Sequence, residues 1–94
     1  MAEWVKCRVN QVGPAGDGTE TPVPVIYINL TQMPSQQGAF DSQWFFAHPA
    51  AKDQMLAVAL SAISLGKLVD ANLDPPNPNN KPYTEVYRLY IFVE

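Results

Sequence analysis

Two residue types that often act in catalysis occur once each in this chain of 94 residues, as Cys7 and His48. Catalysis by either side chain needs a second group that activates it or holds it in place. The sequence offers no such arrangement, because Cys7 lies in an alternating segment typical of a strand and His48 directly precedes Pro49, where it would help to open a helix. We therefore predict no catalytic residue and no enzymatic activity. For Cys7, a buried and inert thiol is favoured over an intermolecular disulfide or a reactive thiol.

Oxygen-bearing side chains at Asp70, Asn72 and Asp74 follow the spacing of the first half of a calcium-binding loop. That loop needs glycine at its sixth position and glutamate at its twelfth, where this sequence has Pro75 and Lys81. The pattern therefore favours the solvent-facing side of a strand over a calcium site. We expect neither a metal site nor a cofactor.

Three further motifs have structural explanations. Residues 13–18 are rich in glycine but lack the lysine and hydroxyl residue of a phosphate-binding loop, so they predict a connection between two strands. Asn29-Leu30-Thr31 has the form of a glycosylation acceptor but falls inside a predicted strand. Residues 75–78 could form a polyproline II ligand, although a stiff loop is the favoured interpretation.

Aromatic side chains can bind sugars, because their faces suit the apolar surface of a sugar ring. In so short a chain most of them are expected in the core or between subunits. Trp44 and Tyr83 lie near predicted loops, and we predict that these two residues bind the ligand. The aromatic residues that could stack on a sugar ring are Trp4, Tyr27, Trp44, Tyr83, Tyr87 and Tyr90.

Charge and composition restrict the partners. The six Lys and Arg residues are scattered and the net charge is −3, which argues against nucleic acid because phosphate binding needs clustered cations. Hydrophobic residues make up 47% of the chain and charged residues only 16%. Soluble domains have about 25% charged residues, so this composition predicts that another chain covers part of the surface.

The sequence predicts five strands and one helix in a single domain. Apolar residues at alternating positions indicate the strands, and a run of good helix formers between Pro49 and Gly66 indicates the helix. The predicted strands are 4–12, 23–31, 43–47, 67–73 and 83–94, and the predicted helix is 49–65. This β-β-β-α-β-β order favours a β-rich α+β fold, in which five strands could close into a small Greek-key barrel around the helix.

The predicted helix is apolar around most of its circumference. Its polar residues Asp53, Gln54, Ser61 and Ser64 fall on one stripe roughly 100° wide. The last strand likewise carries large apolar residues on both faces. We therefore expect sister subunits to cover part of both elements, through contacts made by Met55, Val58, Ala59, Ala62, Val86, Tyr90 and Phe92.

The element order, with the helix between the third and fourth strands, resembles that of the receptor-binding B subunits of bacterial A–B toxins. The helix adds a local likeness to B subunits of the subtilase cytotoxin type, since it contains Asp53-Gln54-Met55-Leu56-Ala57 and ends with Gly66-Lys67-Leu68-Val69. The resemblance implies one oligonucleotide/oligosaccharide-binding (OB-like) domain over residues 1–94. It also implies a ring of five subunits, with helices lining a central channel and adjacent subunits pairing their edge strands.

From these features we expect a non-enzymatic, oligomeric binding or scaffold module that binds a glycan or a protein through its loop surfaces. The alternative is a structural or regulatory protein that binds another polypeptide along a strand edge. No membrane span is expected, because the longest apolar stretch, at 55–65, is too short. No signal peptide is visible, which gives the cytoplasm by default and leaves secretion open if the chain was trimmed.

Overall fold

The computed structural model describes residues 2–15, 25–34, 39–74 and 84–91. These residues form five strands and one α-helix, and a 3-10 turn at Pro49–Ala51 precedes the helix. The elements are β1 (Glu3–Ala15), β2 (Val25–Gln32), β3 (Gln43–Ala47), α1 (Lys52–Leu65), β4 (Val69–Leu73) and β5 (Thr84–Ile91).

The five strands close into one barrel in the order β1-β2-β3-β5-β4. The pairing of β3 with β5 is parallel, and the other four pairings are antiparallel. The structure therefore confirms the prediction of a β-rich barrel of five strands with one helix.

β1 closes the barrel because it is long enough to pair with two neighbours. Its first half, from Glu3 to Cys7, pairs with β4, and its second half pairs with β2. The prediction that a connection begins at Gly13 was wrong, since Gly13 and Pro14 continue β1 opposite Tyr27 and Ile26. Pairing with β2 overrides the local turn signal here. The remainder of that predicted connection, residues 16–18, lies outside the described residues.

The interior of the barrel is filled by alternate residues of its strands. On β2, Ile26, Ile28 and Leu30 are buried, and Phe45 of β3 is fully buried beside them. α1 contributes the small face of Met55, Ala59 and Ala62. It contacts β1, β2, β3 and β5, which places it across one end of the barrel. These seven buried side chains belong to one hydrophobic core: Ile26, Ile28, Leu30, Phe45, Met55, Ala59 and Ala62.

The ends of α1 follow from local chemistry. The His48 side chain accepts a hydrogen bond from the backbone N–H of Ala50 at 3.1 Å and so caps the 3-10 turn that Pro49 begins. The regular α-helix starts only at Lys52, three residues later than predicted. At the other end Gly66 adopts φ 65°, and this left-handed residue ends the helix where the sequence predicted.

Candidate binding face on β1, β2 and β3

The outer surface of three neighbouring strands carries polar and aromatic side chains. Asn29 of β2 lies opposite Gln11 of β1 on one side and opposite Trp44 of β3 on the other. Tyr27 lies two residues away on the same side of β2. We call this surface the β1–β2–β3 face. It consists of Arg8, Asn10, Gln11, Tyr27, Asn29, Thr31 and Trp44, together with Asp41 and Ser42 from the segment that precedes β3.

A bulge in β1 shapes this face. The register with β2 shifts between Val9 and Gln11, so that Asn10 is the extra residue in β1. A bulge bends its strand and redirects side chains, and it places both Asn10 and Gln11 beside Asn29. The Asn10 amide therefore bonds to the Asn29 amide, and Gln11 is the cross-strand neighbour of Asn29.

An open cavity of about 290 Å³ lies at one end of the face. Tyr27 and Trp44 form an aromatic wall, with ring centroids 6.5 Å apart and an interplanar angle of 85°. Such edge-to-face contacts are favourable for aromatic pairs and hold both rings in place. The residues that line the cavity are Gln11, Val12, Gly13, Pro14, Tyr27 and Trp44, and none of them carries a charge.

A hydrogen-bond network continues from this cavity along β2. Asn10 Nδ2 donates to Asn29 Oδ1 and to Thr31 Oγ1, both at 2.8 Å. The Thr31 hydroxyl donates to Asp41 Oδ1 at 3.0 Å, and the Ser42 hydroxyl donates to Asn29 Oδ1 at 3.2 Å. Asn29 and Thr31 are each only 3% exposed, so the network is largely sheltered from water. Hydrogen bonds count for more in such surroundings than on an open surface.

Ser42 has an unusual backbone conformation at the edge of this network, with φ 50°. Residues other than glycine rarely adopt the left-handed region, which costs roughly 1–2 kcal/mol. Ser42 is held there by two bonds, because its N–H donates to Thr31 Oγ1 at 3.1 Å and its hydroxyl donates to Asn29. Local strain that the surroundings impose is often found at functional sites.

The sequence predicted one residue of this face and missed its neighbours. Trp44, predicted to bind ligand, lies in the aromatic wall, whereas Tyr83 lies outside the described residues. Tyr27 was among the aromatic candidates but was not selected as a ligand-binding residue, and the network around Asn29 and Thr31 was not predicted as a site. Their signal was present as polar residues that alternate with buried ones in the middle of an apolar strand.

The residues predicted to contact sister subunits fall into three groups. Met55, Ala59, Ala62 and Val86 are at most 4% exposed and lie in the core of the chain itself, so their burial needs no second subunit. Val58 is partly buried and Tyr90 is 54% exposed, which leaves both accessible. Phe92 lies outside the described residues.

A second surface feature is a groove of about 340 Å³ between α1 and β5. It is lined by Ala51, Gln54, Met55, Val58, Tyr87, Arg88, Leu89 and Tyr90. In the described part of the chain, β5 pairs with β3 only from Thr84 to Val86, so its remaining length has a strand partner on the β4 side alone. We call the groove and the exposed apolar residues on two sides of α1 the α1–β5 surface: Leu65 lies on the groove side, and Leu60 and Ile63 lie on the opposite side of the helix.

Cys7 and His48, the two residues considered first for catalysis, both have structural roles. Burial, with a smaller contribution from the charge of Asp70, raises the pKa of the Cys7 thiol to about 12, so the thiol stays protonated at neutral pH. His48 uses Nδ1 as a cap, and its Nε2 lies 3.7 Å from a carboxylate oxygen of Glu85.

The oxygen-bearing residues at the end of β4 do not form a ligand cluster. The Tyr87 hydroxyl donates to Asp74 at 2.8 Å, and this bond raises the pKa of Tyr87. Among the described residues, no three histidine, cysteine or acidic side chains are grouped so that they could hold a metal ion.

Comparisons of the chain with protein-family models, with curated proteins and with solved structures each gave no match. Within the described ranges, no helix has the length and apolar character needed to cross a membrane. The chemistry of the β1–β2–β3 face is therefore the main guide to function.

Proposed function

We propose that this chain is a non-enzymatic, oligomeric binding module with an OB-like barrel, and that it binds a glycan on the β1–β2–β3 face. The observation that carries the proposal is the aromatic wall of Tyr27 and Trp44 at an open, uncharged cavity, next to a network of amide and hydroxyl groups. Ring faces that bind apolar surface and polar groups that fix orientation are the two components of a small-molecule site.

The arrangement of the strands supports the OB-like part of the proposal. A barrel closed in the order β1-β2-β3-β5-β4, with a helix between β3 and β4, has the form of a small Greek-key barrel. OB-folds bind oligonucleotides and oligosaccharides on the surface of their second and third strands. The aromatic wall has one residue on each of these strands.

A glycan suits this face better than a nucleic acid. Arg8 is the one cation among the residues of the face, and Asp41 offsets its charge. A single-stranded nucleic acid would need a positively charged groove along its backbone in addition to aromatic rings. The net charge of −3 also opposes a polyanion.

The α1–β5 surface supports the oligomeric part of the proposal. Leu60, Ile63 and Leu65 are 49%, 43% and 65% exposed, which is unusual for three large apolar residues on one short helix. In a ring of five subunits like that of the toxin B subunits, each subunit has two neighbours, and the two sides of α1 with the groove beside β5 would contact them. Multi-angle light scattering tests this directly: a mass near five chains supports the ring, and a clean monomer at micromolar concentration overturns it.

Binding to a glycan array tests the ligand class. Trp44→Ala should abolish every hit of the unmodified protein, because it removes half of the aromatic wall. The matched control is Trp4→Ala, which removes an exposed tryptophan that stacks on Tyr90 and lies outside the face. Hits that survive Trp44→Ala, or an array without hits, would contradict glycan binding on this face.

The runner-up function is binding of another polypeptide along β5. It is favoured by the stretch of β5 beyond Val86, which lacks a described strand partner on one side and borders the apolar groove. Strand addition at such an edge supplies backbone hydrogen bonds, and the groove would supply contacts for side chains. An array without hits, together with a peptide whose binding is lost in Val58→Asp, would establish this function in place of the first.

A further inference from the structure

The orientation of the amides in the network is fixed by Arg8. A guanidinium can only donate hydrogen bonds, and Arg8 Nε lies 3.2 Å from the Asn10 side chain, so the Asn10 atom that faces it is the oxygen Oδ1. The Nδ2 group of Asn10 then points to Asn29 and Thr31. The Asn29 atom that it meets is accordingly the acceptor Oδ1.

This orientation leaves one donor without a partner. Asn29 Oδ1 accepts from both Asn10 and Ser42, and none of the described residues accepts a hydrogen bond from Asn29 Nδ2. Although Asn29 as a residue is only 3% exposed, its Nδ2 is not among the buried atoms without a partner, so this donor is accessible to solvent. It is therefore available to donate a hydrogen bond to a ligand.

A strong acceptor lies on the other side of the network. Asp41 is exposed and accepts from Thr31 through Oδ1. An ionised carboxylate has about four lone-pair sites, so it can accept further hydrogen bonds from a ligand. Ser42 connects the two groups along the chain, because it follows Asp41 and bonds to Asn29.

The donor and the acceptor border the aromatic wall. Asn29 is the cross-strand neighbour of Trp44 and of Gln11, and side chains in such pairs lie roughly 5 Å apart. A ring of six atoms that packs on Trp44 would therefore bring its substituents beside the Asn29 amide.

We propose that the β1–β2–β3 face binds a neutral saccharide ring through two adjacent hydroxyl groups, one of which accepts from Asn29 Nδ2 while the other donates to the Asp41 carboxylate. This inference rests on the proposed glycan-binding function and names its ligand class. A hydroxyl can both donate and accept, so a pair of neighbouring hydroxyls matches an amide donor beside a carboxylate acceptor. The ligand is neutral because none of the described residues that line the cavity is charged and because Asp41 repels a carboxylate at short range.

The experiment is an NMR titration of the isotope-labelled full chain with four probes: methyl β-galactopyranoside, methyl α-mannopyranoside, methyl N-acetyl-β-glucosaminide and glucuronic acid. At least one neutral probe should shift the side-chain NH₂ signals of Asn29, and glucuronic acid should bind more weakly. Asp41→Asn should lower the affinity for that probe by about tenfold or more, because it removes a charged acceptor. Asp53→Asn on α1 makes the same change of charge away from the face and should leave the affinity unchanged.

Each outcome has a defined meaning. A neutral probe whose binding falls in both Trp44→Ala and Asp41→Asn supports the inference. A glycan that needs Trp44 but binds Asp41→Asn as well as the unmodified chain, or tighter binding of glucuronic acid, overturns the ligand class and leaves the proposed function standing. Failure of every probe, together with an array without hits, overturns both.

Discussion

The β1–β2–β3 face and the α1–β5 surface lie on one small barrel and differ in almost every property. On the face, the polar side chains of Asn29 and Thr31 are buried and bonded to one another. On the α1–β5 surface, large apolar side chains such as Leu65 are exposed, and the exposed ring of Tyr90 stacks on Trp4 of β1 with ring centroids 5.5 Å apart. The usual arrangement of polar residues outside and apolar residues inside is thus reversed in two places.

This difference separates two kinds of recognition. Hydrogen bonds depend on direction, and a network held by several of them presents its donors and acceptors in fixed positions, as a small polar ligand requires. Apolar contact is not directional and grows with the area covered, as a protein partner requires. We therefore propose that the two surfaces bind different partners, a small ligand on the face and a protein on the α1–β5 surface.

The largest effect on stability should come from Cys7 of β1, whose side chain lies in the core and on neither surface. Because the pKa of Cys7 rises from 9.0 to about 12 on folding, the native chain keeps the thiol proton in a pH range where the unfolded chain loses it. The contribution of Cys7 to the free energy of unfolding is therefore fully present below pH 9. It is lost as the pH rises towards 12, and the loss amounts to about 4 kcal/mol. Urea denaturation at several pH values measures the fall. In Cys7→Ala the slope between pH 9 and 12 should flatten, and an unchanged slope would contradict the assignment.

The next effect tests whether the network on the face stabilises the fold. Thr31→Val keeps the shape but removes the oxygen that Asn10, Asp41 and Ser42 share, and so breaks three partly buried hydrogen bonds. We expect a loss of about 2–3 kcal/mol in the free energy of unfolding, measured by urea denaturation.

The matched control for this change is Thr84→Val on β5. The Thr84 hydroxyl is buried and has no hydrogen-bond partner in the described part of the chain. Its removal should leave the stability unchanged or raise it. Equal losses in the two variants would show that the network contributes nothing specific.

A smaller effect on stability is expected at Ser42, where the contribution of backbone strain can be measured separately from that of the hydroxyl bond. Ser42→Gly and Ser42→Ala both lose the hydroxyl bond to Asn29, but only glycine adopts φ 50° without strain. The glycine variant should be more stable than the alanine variant by about 1 kcal/mol in thermal or urea denaturation. Alanine at least as stable as glycine would mean that the backbone relaxes at this position.

The smallest effect on stability should occur on the α1–β5 surface. Ile63→Lys replaces a side chain that is 43% exposed, so the subunit should change by no more than about 0.5 kcal/mol. Its effect should appear in assembly, since a buried lysine at a subunit contact would lower the mass measured by light scattering. Lys67→Ile just beyond α1 reverses the sign of the change and should keep the assembled mass. If the Ile63→Lys protein has the same assembled mass as the unmodified protein, Ile63 is not part of a subunit contact.

Local patterns in the sequence were enough to predict the elements but not how they meet. β3 has the predicted bounds, Gln43–Ala47, because its aromatic run is typical of a strand, and α1 ends at Gly66 because a left-handed stop is a local property. β1 runs three residues past its predicted end because β2 pairs with it through Gly13 and Pro14. That pairing depends on residues far apart in the sequence.

The candidate site was less predictable for the same reason. Trp44 was found from residue type and position alone. The network needs Asn10 beside Asn29, and that contact depends on the bulge between Val9 and Gln11, which shifts the register of β1 by one residue. Asn29-Leu30-Thr31 was noted as a glycosylation acceptor, whereas its two polar side chains share an outer surface because strand residues alternate.

The double pairing of β1 has a consequence for how the barrel tolerates change. A slip of β1 by one residue would turn Cys7 outwards and its polar neighbours inwards along both β4 and β2. A slip would have to disrupt the pairing of β1 with both β2 and β4, so both pairings keep β1 in register. A ligand bound on the β1–β2–β3 face would consequently keep a fixed position relative to β4, because one continuous strand pairs with both β2 and β4.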